Sequence, residues 1–98
     1  GRSRTPTRPI LAANWPNPFN PSTSIAFSIP ENGPVALRVY DLRGRLVATL
    51  VDGTLEAGSH LVRWDGRNDA HRRVASGVYL YRLCAAGEVH ARKMTLLK

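Results

Sequence analysis

The sequence predicts an all-β fold, an antiparallel β-sandwich of about seven strands. Short segments of alternating apolar and polar residues recur about every ten residues from Thr23 onward, as they do in sandwiches and barrels. Turn residues separate these segments, and no segment has the apolar period of a helix of useful length. The chain has 98 residues, which is enough for one small domain with one core. Short turns between consecutive segments predict that neighbouring strands are antiparallel.

The first predicted strand, "TSIAFSI", shows the alternation most clearly. The later strands are predicted at "VALRVYD", "LVATLVD", "HLVRWD", "GVYLYRLCA" and "VHARKMTLLK". Gly44 in the turn "LRGR" and Gly58 in "LEAGSH" supply the positive φ that tight turns need. The same period of two predicts a core of Ile25, Phe27, Ile29, Leu37, Val39, Val62, Trp64, Tyr79, Tyr81 and Leu83.

Composition narrows the classes of function. There are 14 Lys and Arg against 7 Asp and Glu, a formal net charge of +7, and a basic surface suits nucleic acid, anionic polysaccharide or an acidic partner. The charges are scattered singly between apolar residues, so we expect no nucleic-acid partner. No apolar run approaches the roughly 18 residues of a membrane helix, so we expect no membrane span. Cys84 is the single cysteine and allows neither an internal disulfide nor a thiolate metal cluster.

Residues 1–13 are predicted to be a flexible linker before a domain at residues 14–98. Their mixture of Gly, Ser, Thr, Pro and Arg has little periodicity and does not bury itself. They contain no apolar segment of the kind that a signal peptide has. We therefore expect the chain to be part of a longer secreted polypeptide whose signal lies upstream.

The stretch "NWPNPFNP" places two aromatic side chains among three prolines. Each proline favours extended backbone in the residue before it, so this stretch should be a stiff, extended segment that joins no central strand. A stiff segment loses little entropy when it docks. We therefore expect residues 14–21 to form a strap over the sandwich core, with Trp15 and Phe19 as its two buried anchors.

Three groups of polar residues are candidate sites. "DGRND", residues Asp65–Asp69, has oxygen ligands that calcium uses, but it lacks the spacing of an EF-hand, and an Asx-rich turn is the alternative. His60, His71 and His90 have no spacing typical of zinc. Ser59 and His60 lack a nucleophile elbow or an oxyanion loop. We expect no enzyme activity and no cofactor.

Taken in order, these segments resemble a known family. "NWPNPFNPSTSIAFSIPENGPVALRVYDLRGRLVATLVDG", "AGSHLVRWDGRNDAHRRVASGVYLYRL" and "RKMTLLK" resemble the C-terminal sorting domain of proteins exported by the type IX secretion system. They are equally similar to the Ig-like domain of the flagellar hook-capping protein. The resemblance covers residues 14–98 and implies an Ig-like, fibronectin III-like sandwich.

The resemblance also implies a function and a set of positions. Such a domain ends a larger secreted protein, is read by the outer-membrane secretion machinery, and is often cleaved by a sortase-like peptidase. The cargo, an N-terminal domain of the same polypeptide, passes through the periplasm and is left secreted or on the cell surface; the domain itself is expected to be a monomer. Structural motif positions are Trp15, Pro16, Asn17, Pro18, Phe19, Asn20, Pro21, Gly44, Trp64, Gly77, Tyr79 and Tyr81. Positions resembling the recognised closing strand are Arg92, Lys93, Met94, Leu96, Leu97 and Lys98.

Two departures and two alternatives accompany this interpretation. Family members usually carry Gly where this chain has His71, and Pro where it has Arg73, so the loop here can differ in shape. Tyr79 is interpreted as the structural corner tyrosine of Ig-like folds. The alternative function is an accessory Ig-like spacer or a glycan-binding module of a secreted enzyme, and a flagellar hook-cap role is more distant.

Overall fold

Seven strands form two packed antiparallel sheets in a computed structural model that describes residues 7–97. The strands are β1 (Ile10–Leu11), β2 (Thr23–Ile29), β3 (Gly33–Asp41), β4 (Leu46–Leu55), β5 (Gly58–Trp64), β6 (Gly77–Ala85) and β7 (Glu88–Leu96). One sheet has the order β1-β2-β5 and the other β4-β3-β6-β7. The predicted all-β sandwich is confirmed. Within residues 7–97 no helix has the length and apolar character needed to cross a membrane.

Consecutive strands pair when both lie in the same sheet. β3–β4 and β6–β7 are antiparallel hairpins, and β1 also pairs with β2. Gly44 has a φ of 84° in the first hairpin, as its turn position predicted. The predicted pairing is wrong for β2 with β3, β4 with β5 and β5 with β6, because each of these connections passes between the two sheets. Alternation identifies the buried face of a strand but not the sheet that receives the strand.

The core lies between the inner faces of the two sheets. Nine of the ten predicted core residues are buried, and Val62 is only partly buried. Val62 lies on β5, the outer strand of its sheet, so one side of it has no neighbouring strand. The core also takes in Leu11, Phe19, Val35, Ala48, Ala85, Met94 and Leu96.

The N-terminal boundary of the packed domain lies earlier than predicted. Ile10 and Leu11 pair with Ser28 and Phe27 as β1, and the Leu11 side chain is buried in the core. The prediction of a flexible linker is therefore wrong at these two positions. A two-residue strand has too few residues to show alternation, which is why the sequence pattern did not reveal it. Residues 1–6 and Lys98 lie outside the described part of the chain.

Candidate functional site: the strap and the closing strand

The strap, residues 14–21, connects the two sheets along one side of the sandwich. Trp15 and Ser24 of β2 exchange two backbone hydrogen bonds of 3.0 and 2.9 Å. Five residues from its start the strap reaches the other sheet, where Phe19 N–H donates to Thr95 O and Leu97 N–H donates to Phe19 O. These distances are 3.0 and 2.9 Å. The strap is not helical, as predicted, but five of its eight residues are bends, so it is not extended along its whole length.

Phe19 docks on the core, and this prediction is confirmed. Its side chain is 2% exposed, and its ring lies 5.6 Å from the ring of Trp64. Trp64 lies 5.6 Å from Tyr79 in an edge-on arrangement. The three rings form one aromatic cluster that joins the strap to β5 and β6, and aromatic pairs at such distances add to the stability gained by burial alone.

Trp15 is not an anchor, so the prediction of two buried aromatics is wrong. Its side chain is 78% exposed. Because Trp15 pairs with Ser24 as a strand residue does, its side chain points outward and its neighbour Asn14 points inward. The Asn14 Nδ2 group donates to Thr23 Oγ1 at 3.0 Å, while its Oδ1 has no hydrogen-bond partner among the described residues.

Two tyrosine hydroxyls hold neighbouring segments in place. Tyr81 donates to Ala12 O at 2.7 Å and accepts from Asn14 N–H at 2.8 Å, which holds the segment before the strap against β6. Tyr79 donates to Ala75 O at 2.6 Å, the corner contact predicted from its position. Burial raises the pKa of both hydroxyls, so both are protonated donors at neutral pH.

Gly66 lets the strap approach the loop after β5. A Cβ added at Gly66 would lie 3.1 Å from Pro21 O and 3.5 Å from a methyl group of Leu96, and the residue has a φ of 77°. Both the space and the backbone conformation therefore require glycine. The "WDG" motif thus contributes Trp64 to the aromatic cluster and Gly66 to the fit of the strap.

The closing strand β7 is an edge strand of the four-stranded sheet. Its register with β6 is continuous from Gly77 opposite Leu96 to Ala85 opposite Glu88. Thr95 donates its N–H to Asn17 Oδ1 at 3.0 Å and accepts from Phe19 N–H, so its backbone groups point away from β6. By the alternation of an antiparallel pair, the backbone groups of Val89, Ala91 and Lys93 also point outward. Within residues 7–97 these groups have no hydrogen-bond partner.

The side chains of β7 differ in whether another molecule can touch them. Met94 and Leu96 are fully buried in the domain's own core. Lys93 and Leu97 are exposed. Arg92 is exposed as a residue, but its Nε donates to Leu11 O at 2.7 Å and so connects β7 to β1. Lys98 lies outside the described residues. Met94 and Leu96 are among the positions that resemble the recognised closing strand, but a receptor cannot touch their side chains while the domain is folded.

A salt bridge fixes the N-terminal segment to the start of β7. The Arg8 guanidinium contacts both carboxylate oxygens of Glu88, at 3.0 and 3.2 Å. His90 Nε2 lies 3.1 Å from the same carboxylate. The hydrogen bond from Arg8 holds the pKa of Glu88 below its ordinary value. The Arg8 side chain is largely in solvent and the Glu88 side chain is partly so, so the contact positions the segment more than it stabilises the fold.

The loop "DGRND" uses its oxygen atoms to hold backbone. Asp65 accepts from Arg67 N–H, Asn68 from Ala70 and Arg72 N–H, and Asp69 from Thr49 N–H at 2.8 Å. These are the contacts of an Asx-rich turn, and Asp69 in addition bonds the outer edge of β4. Within the described part of the chain, no three His, Cys, Asp or Glu side chains are grouped closely enough to hold a metal ion.

The three histidines have different surroundings in the fold. His71 has a φ of 63°, so the backbone at this position does take the conformation that glycine favours. His60 stacks on Phe27 at 5.3 Å, and its Nε2 lies 2.7 Å from Glu56 O. Arg73, also singled out as a departure from the family, is exposed.

The chain belongs to the FlgD Ig-like domain family, whose model matches residues 17–88. Its fold is similar to part of dimeric latent PorU from Porphyromonas gingivalis, with a TM-score of 0.72, 21% identity and 93% of this chain covered. It is also similar to part of PorZ, a surface component of the type IX secretion system of Porphyromonas gingivalis, with a TM-score of 0.61, 20% identity and 88% covered.

FlgD from P. aeruginosa is a further structural relative, with a TM-score of 0.58, 23% identity and 76% of this chain covered. The chain spans 10% of the PorU chain, 11% of the PorZ chain and 59% of the FlgD chain. No curated protein matches the chain in sequence. Identities at this level establish a shared fold.

Proposed function

We propose that this domain directs export of a larger polypeptide through the type IX secretion system, with β7 as the strand that the outer-membrane machinery reads. The observation that carries the proposal is the position of β7 at the edge of its sheet, with outward backbone groups at Val89, Ala91 and Lys93. An open edge is the surface that recognition by strand addition requires.

Two further observations support this proposal. The fold is similar to parts of PorU and of PorZ, and PorZ is itself a surface component of that secretion system. The residues that resemble the recognised end of sorting domains fall on β7 and the residues that follow it. The partners would be the secretion machinery, a sortase-like peptidase and an N-terminal cargo domain. The domain would act without catalysis, as a monomer, and the cargo would end secreted or on the cell surface after passing the periplasm.

The buried side chains limit what a receptor can contact. Since Met94 and Leu96 are in the core, a receptor that binds the folded domain contacts the β7 backbone, Lys93 and Leu97. Deleting residues 92–98 would remove two core side chains and unfold the domain, so this deletion does not separate recognition from stability. A substitution that changes only the outer edge is the better test.

The test is a fusion of residues 1–98 to the C-terminus of a periplasmic reporter in a host with type IX secretion. Residues 1–13 are kept because β1 and Arg8 contact the sandwich. We expect the reporter to appear on the cell surface or in the medium, and to stay in the periplasm of the same host when the secretion system is inactivated. A fusion that stays periplasmic in the competent host would overturn the proposal in favour of an accessory module.

A further inference from the structure

Trp15 lies on the outer face of the three-stranded sheet, where its indole does not contribute to the core. Its contacts with Ser24 are made by backbone atoms, which any residue other than proline can supply. Its side chain is the most exposed of the large apolar side chains in the described residues. A tryptophan kept in solvent beside polar groups is typical of a contact surface.

The side chains around Trp15 are set by the strand register. The side chains form three rows across the sheet. The first row contains Trp15, Ser24 and Arg63, the second contains Ala26 and Leu61, and the third contains Ile10, Ser28 and Ser59. We name this surface the serine face; its members are Ile10, Trp15, Ser24, Ala26, Ser28, Ser59, Leu61 and Arg63. Since rows on one face are two residues apart, the serine face is about 14 Å long.

Polar groups of the serine face are already oriented. The Arg63 guanidinium donates to Ser22 Oγ at 2.9 Å, which fixes its position at the Trp15 end of the face. The hydroxyls of Ser28 and Ser59 lie 3.2 Å apart at the other end. Hydroxyls both donate and accept, and a guanidinium donates in a fixed plane. The face therefore has one exposed indole ring, three serine hydroxyls and one oriented guanidinium donor.

The composition of the serine face indicates which of three ligands it suits: an anionic polymer, a protein or a neutral sugar. Its three rows contain no carboxylate and a single cation in a chain of net charge +7, so an anionic polymer is not what it complements. Tryptophan and arginine are common in protein–protein interfaces, but serine and alanine, which form half of this face, are depleted there. A neutral sugar has an apolar C–H face that suits an indole and a rim of hydroxyls that suits serine and arginine.

We propose that the serine face binds a neutral oligosaccharide, which stacks on Trp15 and hydrogen-bonds to Arg63 and the neighbouring serines. The length of the face suits a short chain of sugars more than a single ring. The site lies on the sheet opposite to β7, so it is independent of the proposed export function. A domain could bind a glycan here whether or not it directs secretion.

The test is titration of the 98-residue chain with cellohexaose, mannohexaose and chitohexaose, followed by calorimetry and by tryptophan fluorescence. Trp15 is exposed and Trp64 is buried, so quenching by iodide reports on Trp15. We expect at least one hexasaccharide to bind and to protect Trp15 from iodide. Trp15→Ala should weaken that binding about tenfold or more, and Arg63→Ala by a smaller factor.

The matched control is Leu42→Ala, which removes an exposed leucine from the β3–β4 turn, away from the serine face. This variant should bind as the unaltered chain does. The proposal is overturned if none of the three sugars binds, or if Trp15→Ala binds them equally well. It is also overturned if Trp15 instead drives self-association, seen as a dimer by light scattering that Trp15→Ala abolishes.

Discussion

At the scale of single residues, the two tryptophans have opposite roles. Trp64 is at the centre of the aromatic cluster, and its indole N–H donates to Arg67 O at 2.9 Å. Trp15 contributes backbone hydrogen bonds and leaves its side chain in solvent. The direction of the side chain, and not the residue type, decides how much each tryptophan stabilises the fold.

Truncating the two tryptophans should therefore have very different effects. Trp64→Ala is expected to lower the free energy of unfolding by about 3–5 kcal/mol, since it leaves a large cavity in the core. Trp15→Ala is expected to change it by less than about 0.5 kcal/mol, as is usual for an exposed side chain. Urea unfolding followed by circular dichroism measures both. Equal losses in the two variants would show that the assignment of inner and outer faces is wrong.

His71 carries backbone strain that glycine would remove. An L-residue at a φ of 63° is in the left-handed region, which costs non-glycine residues roughly 1–2 kcal/mol. Part of this gain is offset because glycine makes the unfolded chain more flexible, so His71→Gly should stabilise the domain by up to about 1 kcal/mol. The control is His71→Ala, which keeps the strain and should give no gain. A stabilisation of equal size in both variants would mean that the imidazole, and not the backbone, is unfavourable.

At the scale of elements, the strap acts as a short extra strand beside the end of β7. Asn17 Oδ1 accepts a hydrogen bond from Thr95 N–H. The backbone of Phe19 donates to Thr95 O and accepts from Leu97 N–H. Asp69 does the same for β4, where its N–H donates to Val47 O and its carboxylate accepts from Thr49 N–H. Asx side chains thus cover two exposed sheet edges, which limits unwanted pairing with other chains.

The Asn17 contact can be removed without disturbing the core. Asn17→Ala should raise the hydrogen-exchange rate of the Thr95 amide, because that N–H then faces water. Asn20→Ala is the matched control, since Asn20 is an exposed asparagine of the same strap without a hydrogen bond to β7 among the described contacts. Amide exchange measured by NMR distinguishes them. Unchanged protection of Thr95 in Asn17→Ala would contradict the role assigned to this side chain.

The sequence predicted elements best where alternation was long. β2 and β6 have the predicted bounds, since seven and nine residues give a clear period of two. Trp15 was wrongly predicted to be buried because a proline-rich segment has no apolar period to show which side chains face the core. The direction of the Trp15 side chain is set by its pairing with Ser24 of β2. The closing strand was predicted, but the contact of the strap with its end was not. That contact joins Asn17 and Thr95, which are 78 positions apart in sequence. Local patterns contain no information on such contacts.

At the scale of the whole molecule, one side of the sandwich is closed and part of one edge is left open. The strap and the Arg92 contact with Leu11 O join the two sheets along the side of β1 and β7. The first part of β7 keeps its outward backbone groups at Val89, Ala91 and Lys93 without partners in the described residues. We have proposed that the secretion machinery binds this open edge.

The most direct test of that claim is to compare export of two variants at Ala91 in the reporter fusion. Ala91→Pro removes an N–H that points outward from β7. An edge strand tolerates proline at such a position, so the domain should stay folded while strand addition is blocked. Ala91→Thr keeps the N–H and suits a strand. We expect the threonine variant to reach the cell surface or the medium. We expect the proline variant, shown to be folded by its thermal transition, to stay in the periplasm. Equal export of both folded variants would contradict recognition through the edge of β7.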